Sequence, residues 1–208
     1  MRPRPTAAPS RAVDPAVRQP AEQAALIAWR RSRPVGRTNA GRLVAGVQLP
    51  AEGTDWFTWD PIRKRSPNRA WRRWATDRLV HTLLRVLREY RAAHPGAPRV
   101  GIGDLSRPRG GDFGRRFGGL GHASHQNGLD VDVLYPRRDG LERRPYAPRQ
   151  VDLRLAQDLV DRFVAAGARY VFVGPRLALR GRRGVVERLV HHDDHMHVRV
   201  RRRAVTRR

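Results

Sequence analysis

Leu129-Asp130-Val131-Asp132-Val133 and His195-Met196-His197-Val198-Arg199-Val200 decide the fold. Both stretches alternate apolar and polar residues with a period of two, the spacing of a β-strand with one face buried. In the first, Leu129, Val131 and Val133 share one face and Asp130 and Asp132 share the other. In the second, Met196, Val198 and Val200 face the core, and His195, His197 and Arg199 point away from it. If the two strands pair, their polar faces form one continuous surface carrying imidazoles and carboxylates.

Residues next to these strands enlarge that surface. His122-Ala123-Ser124-His125-Gln126-Asn127-Gly128 runs directly into the first strand, and His191-His192-Asp193-Asp194 into the second. Six of the 8 histidines therefore fall in two short clusters. Clustered imidazoles with a carboxylate compose a transition-metal site, and two His with one Asp suit zinc. A turn at Gly128 lets the chain double back between His125 and Asp132. His197 completes a set of three ligands, leaving a fourth tetrahedral position for water, as in catalytic rather than structural zinc sites. His195, two residues away on the same strand face, is placed to accept the water's proton or to stabilise a tetrahedral intermediate. His192 is a candidate for the complementary role. Neither His-x-His nor Asp-x-Asp is informative alone, since each is common on solvated strands; their combination with an upstream His carries the reading. His122 and His191 fit local hydrogen bonding as well as chemistry, and Asp130 is an accessory candidate. Asp193 and Asp194 suit either turn capping or the orientation of an imidazole. His81 and His94 read as structural.

The composition limits the alternatives. A chain of 208 residues suits one domain plus a tail. Of its 43 basic residues only Lys64 is lysine, and the formal net charge is +24. That charge attracts polyanions, whether nucleic acid, anionic lipid or wall polymer, although coding bias explains an arginine excess equally well. With no cysteine, disulfides and thiolate metal sites are excluded, and any metal is held by His, Asp or Glu. No stretch reaches the roughly 18 apolar residues of a membrane span. Residues 1–20 hold no apolar segment of secretory type, so the expectation is a cytosolic chain or one whose exported precursor starts elsewhere.

Residues 1–36, rich in Pro, Ala and Arg, read as a basic, poorly ordered arm with a short helix over 21–31, and 37–208 as the folded domain. Ordered structure is expected to begin near Gly41, with extended pieces at 43–49 and 56–59. A helix is expected over Arg69–His94 from the stripe Val80, Leu83, Leu84, Leu87 and Tyr90, ending at Pro95-Gly96. A strand over Arg99–Leu105 follows, then a glycine-rich loop over 106–121. A helix over Val151–Ala166 ends at Gly167, and Tyr170–Val173 is a buried strand.

Ser124-His125-Gln126-Asn127-Gly128-Leu129-Asp130-Val131-Asp132 together with His192-Asp193-Asp194-His195-Met196-His197-Val198-Arg199 resembles the penicillin-insensitive murein endopeptidases, within the lysostaphin and D-Ala-D-Ala metallopeptidase group. Residues 41–50 and Gly103-Asp104-Leu105-Ser106-Arg107 also look like family segments, so the resemblance runs from about residue 36 to about 202. It implies an α+β fold: a small central antiparallel sheet with flanking helices and long loops. It implies one catalytic zinc on His125, Asp132 and His197, with His195 and His192 as catalytic histidines and His122 and Asp130 accessory. The implied reaction is hydrolysis of peptidoglycan cross-links of the D-alanyl–meso-diaminopimelyl type, in the periplasm or cell wall. The chain departs from the expected family pattern in having no cysteines and no visible secretory signal.

One alternative lies within the same enzyme reading, and two rivals come from other classes. A D,D-carboxypeptidase would use the same centre with a differently closed cleft. A metal-dependent nuclease or polyanion-binding module would suit the charge, but nucleases favour carboxylate-held Mg²⁺, and the aromatics are not interleaved as for single-strand stacking. The expected partner is therefore peptidoglycan, without specific nucleic-acid binding, and the oligomeric state is open.

Overall fold

Thr76 starts the longer helix and also ties it to the site. The computed structural model describes residues 26–114 and 122–203. Within them the Thr76 side chain accepts a hydrogen bond from the Leu79 N–H (3.3 Å), capping α1 (Asp77–Ala93). The Thr76 hydroxyl and backbone N–H both donate to the carbonyl of Gly128, at 3.0 and 2.9 Å. Helix α1 buries Leu79, Val80, Leu83, Val86, Leu87 and Tyr90; Leu84 of the expected stripe is only half-buried. The second helix, α2 (Leu153–Ala165), is capped by Asp152 and buries Leu155, Leu159, Val160 and Phe163.

The strands are β1 (Arg33–Arg37), β2 (Ala40–Val44), β3 (Val47–Gln48), β4 (Trp56–Thr58), β5 (Trp74–Ala75), β6 (Val100–Ile102), β7 (Asp130–Leu134), β8 (Ala168–Val173), β9 (Val186–Arg188) and β10 (His195–Val200). Six of them form the main sheet, in the order β4-β6-β7-β10-β8-β9. Its centre, β6 to β8, is antiparallel, but the outer pairs β4–β6 and β8–β9 are parallel. The fold is α+β as expected, with a sheet that is mixed rather than wholly antiparallel. Both helices join Val131, Val133, Met196, Val198 and Val200 in one hydrophobic core. Each such side chain contributes about 1.5–3 kcal/mol when fully buried. The helices thus cover one sheet face and leave the Asp and His face to the site.

Several expected boundaries move, for physical reasons. Residues 69–75 do not continue the helix, because Arg72 and Arg73 are buried and turned to partners elsewhere. Arg72 Nε donates to Asp104 Oδ1 at 2.7 Å, and Arg73 Nε to the Asn68 carbonyl at 3.1 Å. Of the helix read over 21–31, residues 21–25 lie outside the described residues. Residues 26–31 are non-helical, with Ile27 in the core and Trp29 stacked on His81 at 3.9 Å. Strand β1 crosses the boundary expected at 36/37 and pairs with β2. The rest of the basic arm, residues 1–25, and residues 115–121 of the expected loop lie outside the described residues. No helix among the described residues is long and apolar enough to cross a membrane.

The Arg72–Asp104 ion pair is fully buried. Burial pushes the Asp104 carboxyl up, but hydrogen bonds from Arg72 and His122 outweigh it and hold the group at about 2. Replacing one partner of such a pair strands the other charge, at a cost of about 3–5 kcal/mol. Asp104→Asn is expected to lower unfolding stability by about that amount in urea titrations at pH 7. The deficit should shrink below pH ~4 and close as pH falls through about 2, where the wild-type carboxyl also protonates.

Candidate metal centre

Strand register assembles the centre. Pairing of β7 with β10 sets Asp132 opposite His197, Asp130 opposite Arg199 and Leu134 opposite His195. On the other side of β10, Phe172 stands opposite His197 and Tyr170 opposite Arg199. Asp132 is held from its other flank by Gly103, whose N–H donates to the Asp132 carbonyl at 2.8 Å. A Cβ at Gly103 would lie 3.1 Å from that of Asp132, so a side chain there would push on Asp132. His125 arrives on the turn before β7 in a left-handed conformation, φ 66°. Gly128, φ 74°, turns the chain into the strand where a Cβ would meet Leu43 at 2.9 Å and the Thr76 backbone nitrogen at 3.0 Å.

The Asp132 carboxylate lies among four imidazoles. Its Oδ1 is 3.1 Å from His197 Nδ1, 3.3 Å from His125 Nε2 and 3.8 Å from His195 Nε2. Its Oδ2 is 3.8 Å from His122 Nε2. His122, His125 and Asp132 offer ligand atoms within 4.8 Å of one another, a group able to hold a metal ion.

Three of the imidazoles are fixed from behind in the same way, by an aspartate that is itself held by an arginine. His122 Nε2 donates to Asp104 (2.8 Å), which takes the Arg72 guanidinium. His197 Nε2 donates to Asp130 Oδ1 (3.0 Å), which accepts from Arg199 Nε at 2.6 Å. His195 Nδ1 donates to Asp194 (2.6 Å), which is paired with Arg144. Carboxylates behind imidazoles set which ring nitrogen carries the proton and which faces forward. His125 is fixed by a carbonyl instead: its Nδ1 donates to Leu105 at 2.6 Å. Asp130 Oδ2 also accepts the His125 backbone N–H at 3.3 Å, joining two of these units.

The donor set fits a cation. Burial pushes the His125 imidazole down, so it is neutral, and with Nδ1 donating to Leu105 its Nε2 carries a lone pair. That Nε2 is fully buried, makes no hydrogen bond of ordinary geometry, and faces an oxygen that can only accept. Although burial pushes the Asp132 carboxyl up, the surrounding imidazoles, among them the His197 ring that donates to it, outweigh burial and hold it well below the usual carboxylate range. Two acceptors at this separation call for a positive charge between them. His197 contributes Nδ1 to the same oxygen, its Nε2 being taken by Asp130. Its burial favours the neutral ring, but Asp130 and Asp132 raise it to about 9. His122 is less suited to ligation than its place in the tight group suggests. Its Nε2 is committed to Asp104, and the Asp104 and Asp132 carboxylates raise it despite burial.

The remaining candidates sit at the rim. His192 Nδ1 donates to the Val190 carbonyl at 2.7 Å, and its ring is 4.7 Å from that of His195. Burial and the neighbouring His195 push it down to about 4, so it is neutral at pH 7. Asp193 accepts the Arg176 N–H and caps a turn, and His191 is exposed. The structure therefore gathers His122, His125, Asp130, Asp132, His192, His195 and His197 on one surface. It adds groups the sequence reading did not assign: Gly103, Asp104, the Leu105 carbonyl, Arg72, Arg144 and Phe113. The Phe113 ring packs on His122 and His125 at 5.2 and 5.9 Å. The Gly103-Asp104-Leu105 segment was the one available signal for the first three.

Comparison with known proteins points the same way. A family profile described as penicillin-insensitive murein endopeptidase matches residues 34–167, more than half of the chain. The match includes His122, His125, Asp130 and Asp132 and stops before His192, His195 and His197. Two curated relatives carry the name penicillin-insensitive murein endopeptidase. The one from Yersinia enterocolitica serotype O:8 / biotype 1B is 28% identical over 121 residues, 57% of this chain and 39% of its own length. The one from Pectobacterium atrosepticum is 28% identical over 127 residues, 60% of this chain and 40% of its own. The chain thus matches about two fifths of the length of these relatives.

A cation reaching His197 Nδ1 must displace the proton that Asp132 holds there, while Asp130 keeps the one on Nε2. His125 and Asp132 have none to release at pH 7. Zinc titrated into the protein at pH 7 is therefore expected to release about one proton, with affinity rising as pH approaches 9. Calorimetry in buffers of different ionisation enthalpy measures this; zinc binding without proton release would contradict the arrangement.

Proposed function

Because the chain belongs to the penicillin-insensitive murein endopeptidase family, we propose that it is a zinc-dependent endopeptidase hydrolysing the peptide cross-links of peptidoglycan, at bonds of the D-alanyl–meso-diaminopimelyl type. Its place of action on this reading is the periplasm or cell wall. The observation that carries the proposal is the convergence of His125 Nε2 and His197 Nδ1 on one Asp132 oxygen, at 3.3 and 3.1 Å.

His125, Asp132 and His197 would hold the zinc, and His122 and Asp130 would support them from behind. Bound there, the ion supplies Lewis-acid polarisation of the scissile carbonyl and lowers the pKa of attacking water. The protein's own groups handle protons. Exposure rises outward from the ligands: the His125 side chain is 0% exposed, His197 8% and His195 18%. Asp194 takes the Nδ1 proton of His195, so its Nε2 faces the centre with a lone pair. His195 is thereby placed to take the proton of the attacking water and return it to the leaving amine, with Asp194 stabilising the imidazolium in between. His192 presents a neutral ring beside it, Nδ1 committed to Val190, and offers Nε2 as an acceptor to substrate or water. No serine nucleophile takes part, so a penicillin has nothing to acylate.

Zinc-loaded protein is expected to convert cross-linked muropeptide dimers into monomers, each cut exposing one new amine, as read by mass analysis. His125→Ala and His197→Ala should lose the metal and the activity together, while His122→Ala keeps the metal. His195→Ala should keep zinc yet lower kcat by about 10²–10⁴-fold. Cleavage that persists in His125→Ala under chelation would sink the mechanism. A product lacking only a terminal D-alanine would identify a carboxypeptidase instead.

A further inference from the structure

Beyond Arg199 the site face of the sheet opens into a groove of about 790 Å³. Five arginines line it, Arg37, Arg169, Arg199, Arg201 and Arg202, with Tyr170 between them and no carboxylate among the lining residues. Arg37, Arg201 and Arg202 are exposed and form no ion pair with any described residue. Arg199 donates its Nε to Asp130 at 2.6 Å and is also among the residues lining the groove. Arg169 lies over the Tyr170 ring, 4.5 Å from its centroid.

Packed aromatic rings link the groove to the centre. Tyr170 stacks on Phe172 at 5.4 Å, and Phe172 lies 5.7 Å from the His197 ring. His195, His197 and Arg199 follow one another on the same strand face. At about 3.4 Å per residue, Arg199 sits about 7 Å beyond His197 along β10; the strand shifts register between Arg199 and Val200 and ends at Val200, so Arg201 and Arg202 follow on the segment after it. An extended peptide advances about 3.3–3.6 Å per residue, so Arg199 meets a substrate about two residues from the bond held at the centre, with the other arginines around it.

We propose that this groove is a subsite for a free carboxylate of the peptide substrate, two or more residues from the scissile bond. Guanidinium forks match carboxylates in bidentate geometry, and their attraction is strengthened where no acid competes. A diffuse attraction for polyanions would need only scattered surface charge; here the charges surround one aromatic floor leading to the hydrolytic centre. The proposal rests on the peptidase reading of that centre, but its test is separable from it.

The test uses the full-length zinc-loaded protein and two synthetic cross-linked peptides, identical except that one has its free carboxylates converted to carboxamides. Affinity is read by fluorescence anisotropy in the His195→Ala background, and KM and kcat in the wild type. Amidation is expected to weaken binding about ten- to hundred-fold, an effect borne by KM. The double variant Arg169→Ala/Arg201→Ala should weaken binding of the free-carboxylate peptide to a similar degree and no longer discriminate the two. Arg85→Ala, which removes an exposed charge from α1, should leave discrimination intact. Equal affinity for the two peptides overturns the proposal. So does an equal loss on Arg85→Ala, which would mark diffuse polyanion attraction. Discrimination in binding without cleavage would uphold the subsite and reject the peptidase reading; cleavage without discrimination would do the reverse.

Discussion

The pairing of β7 with β10 in one register is the constraint on which the rest depends. With Asp132 opposite His197, one sheet face carries the centre, and the other carries Val131, Val133, Met196 and Val198 into the core. A slip of one residue would send carboxylates and imidazoles among the helices and the valines to solvent. The burial that stabilises the sheet therefore also sets the geometry of the site. The same apolar residues that anchor α1 and α2 keep Asp132 and His197 adjacent.

A buried assembly of this polarity is tolerable because its outward-facing groups are satisfied. Asp104, Asp130 and Asp194 each accept from an arginine on one side and an imidazole on the other. Burial pushes all three carboxyls up, but hydrogen bonds and charge from their imidazole and arginine partners outweigh it and hold each below the usual carboxylate range. At the middle, His125 Nε2 is left facing Asp132 with no donor between them. A buried acceptor held against a carboxylate is what a cation relieves. Part of the arginine excess thus has a local structural use, in Arg72, Arg144 and Arg199, apart from any attraction to the cell wall.

Alternation in 129–133 and 195–200 was enough to read two strands, their faces and the side chains they present, because a period of two is a local property. The helix stripe from Val80 to Tyr90 was readable for the same reason. What local pattern does not carry is pairing between distant segments. Nothing near Arg72 or Arg144 marks them as partners of Asp104 and Asp194, 32 and 50 residues away. The start of α1 was misplaced because residues 69–75 have helical composition, while Arg72 and Arg73 are drawn into buried contacts that end the helix at Thr76. The parallel edges of the sheet likewise depend on how β4 and β9 return to it, which alternation does not encode.

Arg199 joins the two halves of the site face. Its Nε reaches Asp130, which positions both His197 and the backbone of His125, while the residue also lines the arginine groove. Strand geometry holds it at a set distance from His197, and packed sheets resist changes in that distance. A ligand held in the groove would therefore be measured along β10 from the metal centre rather than steered loosely toward it. On the proposed reading, selectivity would arise from the spacing between an anionic group and the bond to be cut. That spacing follows from the same two-residue alternation that sets the fold.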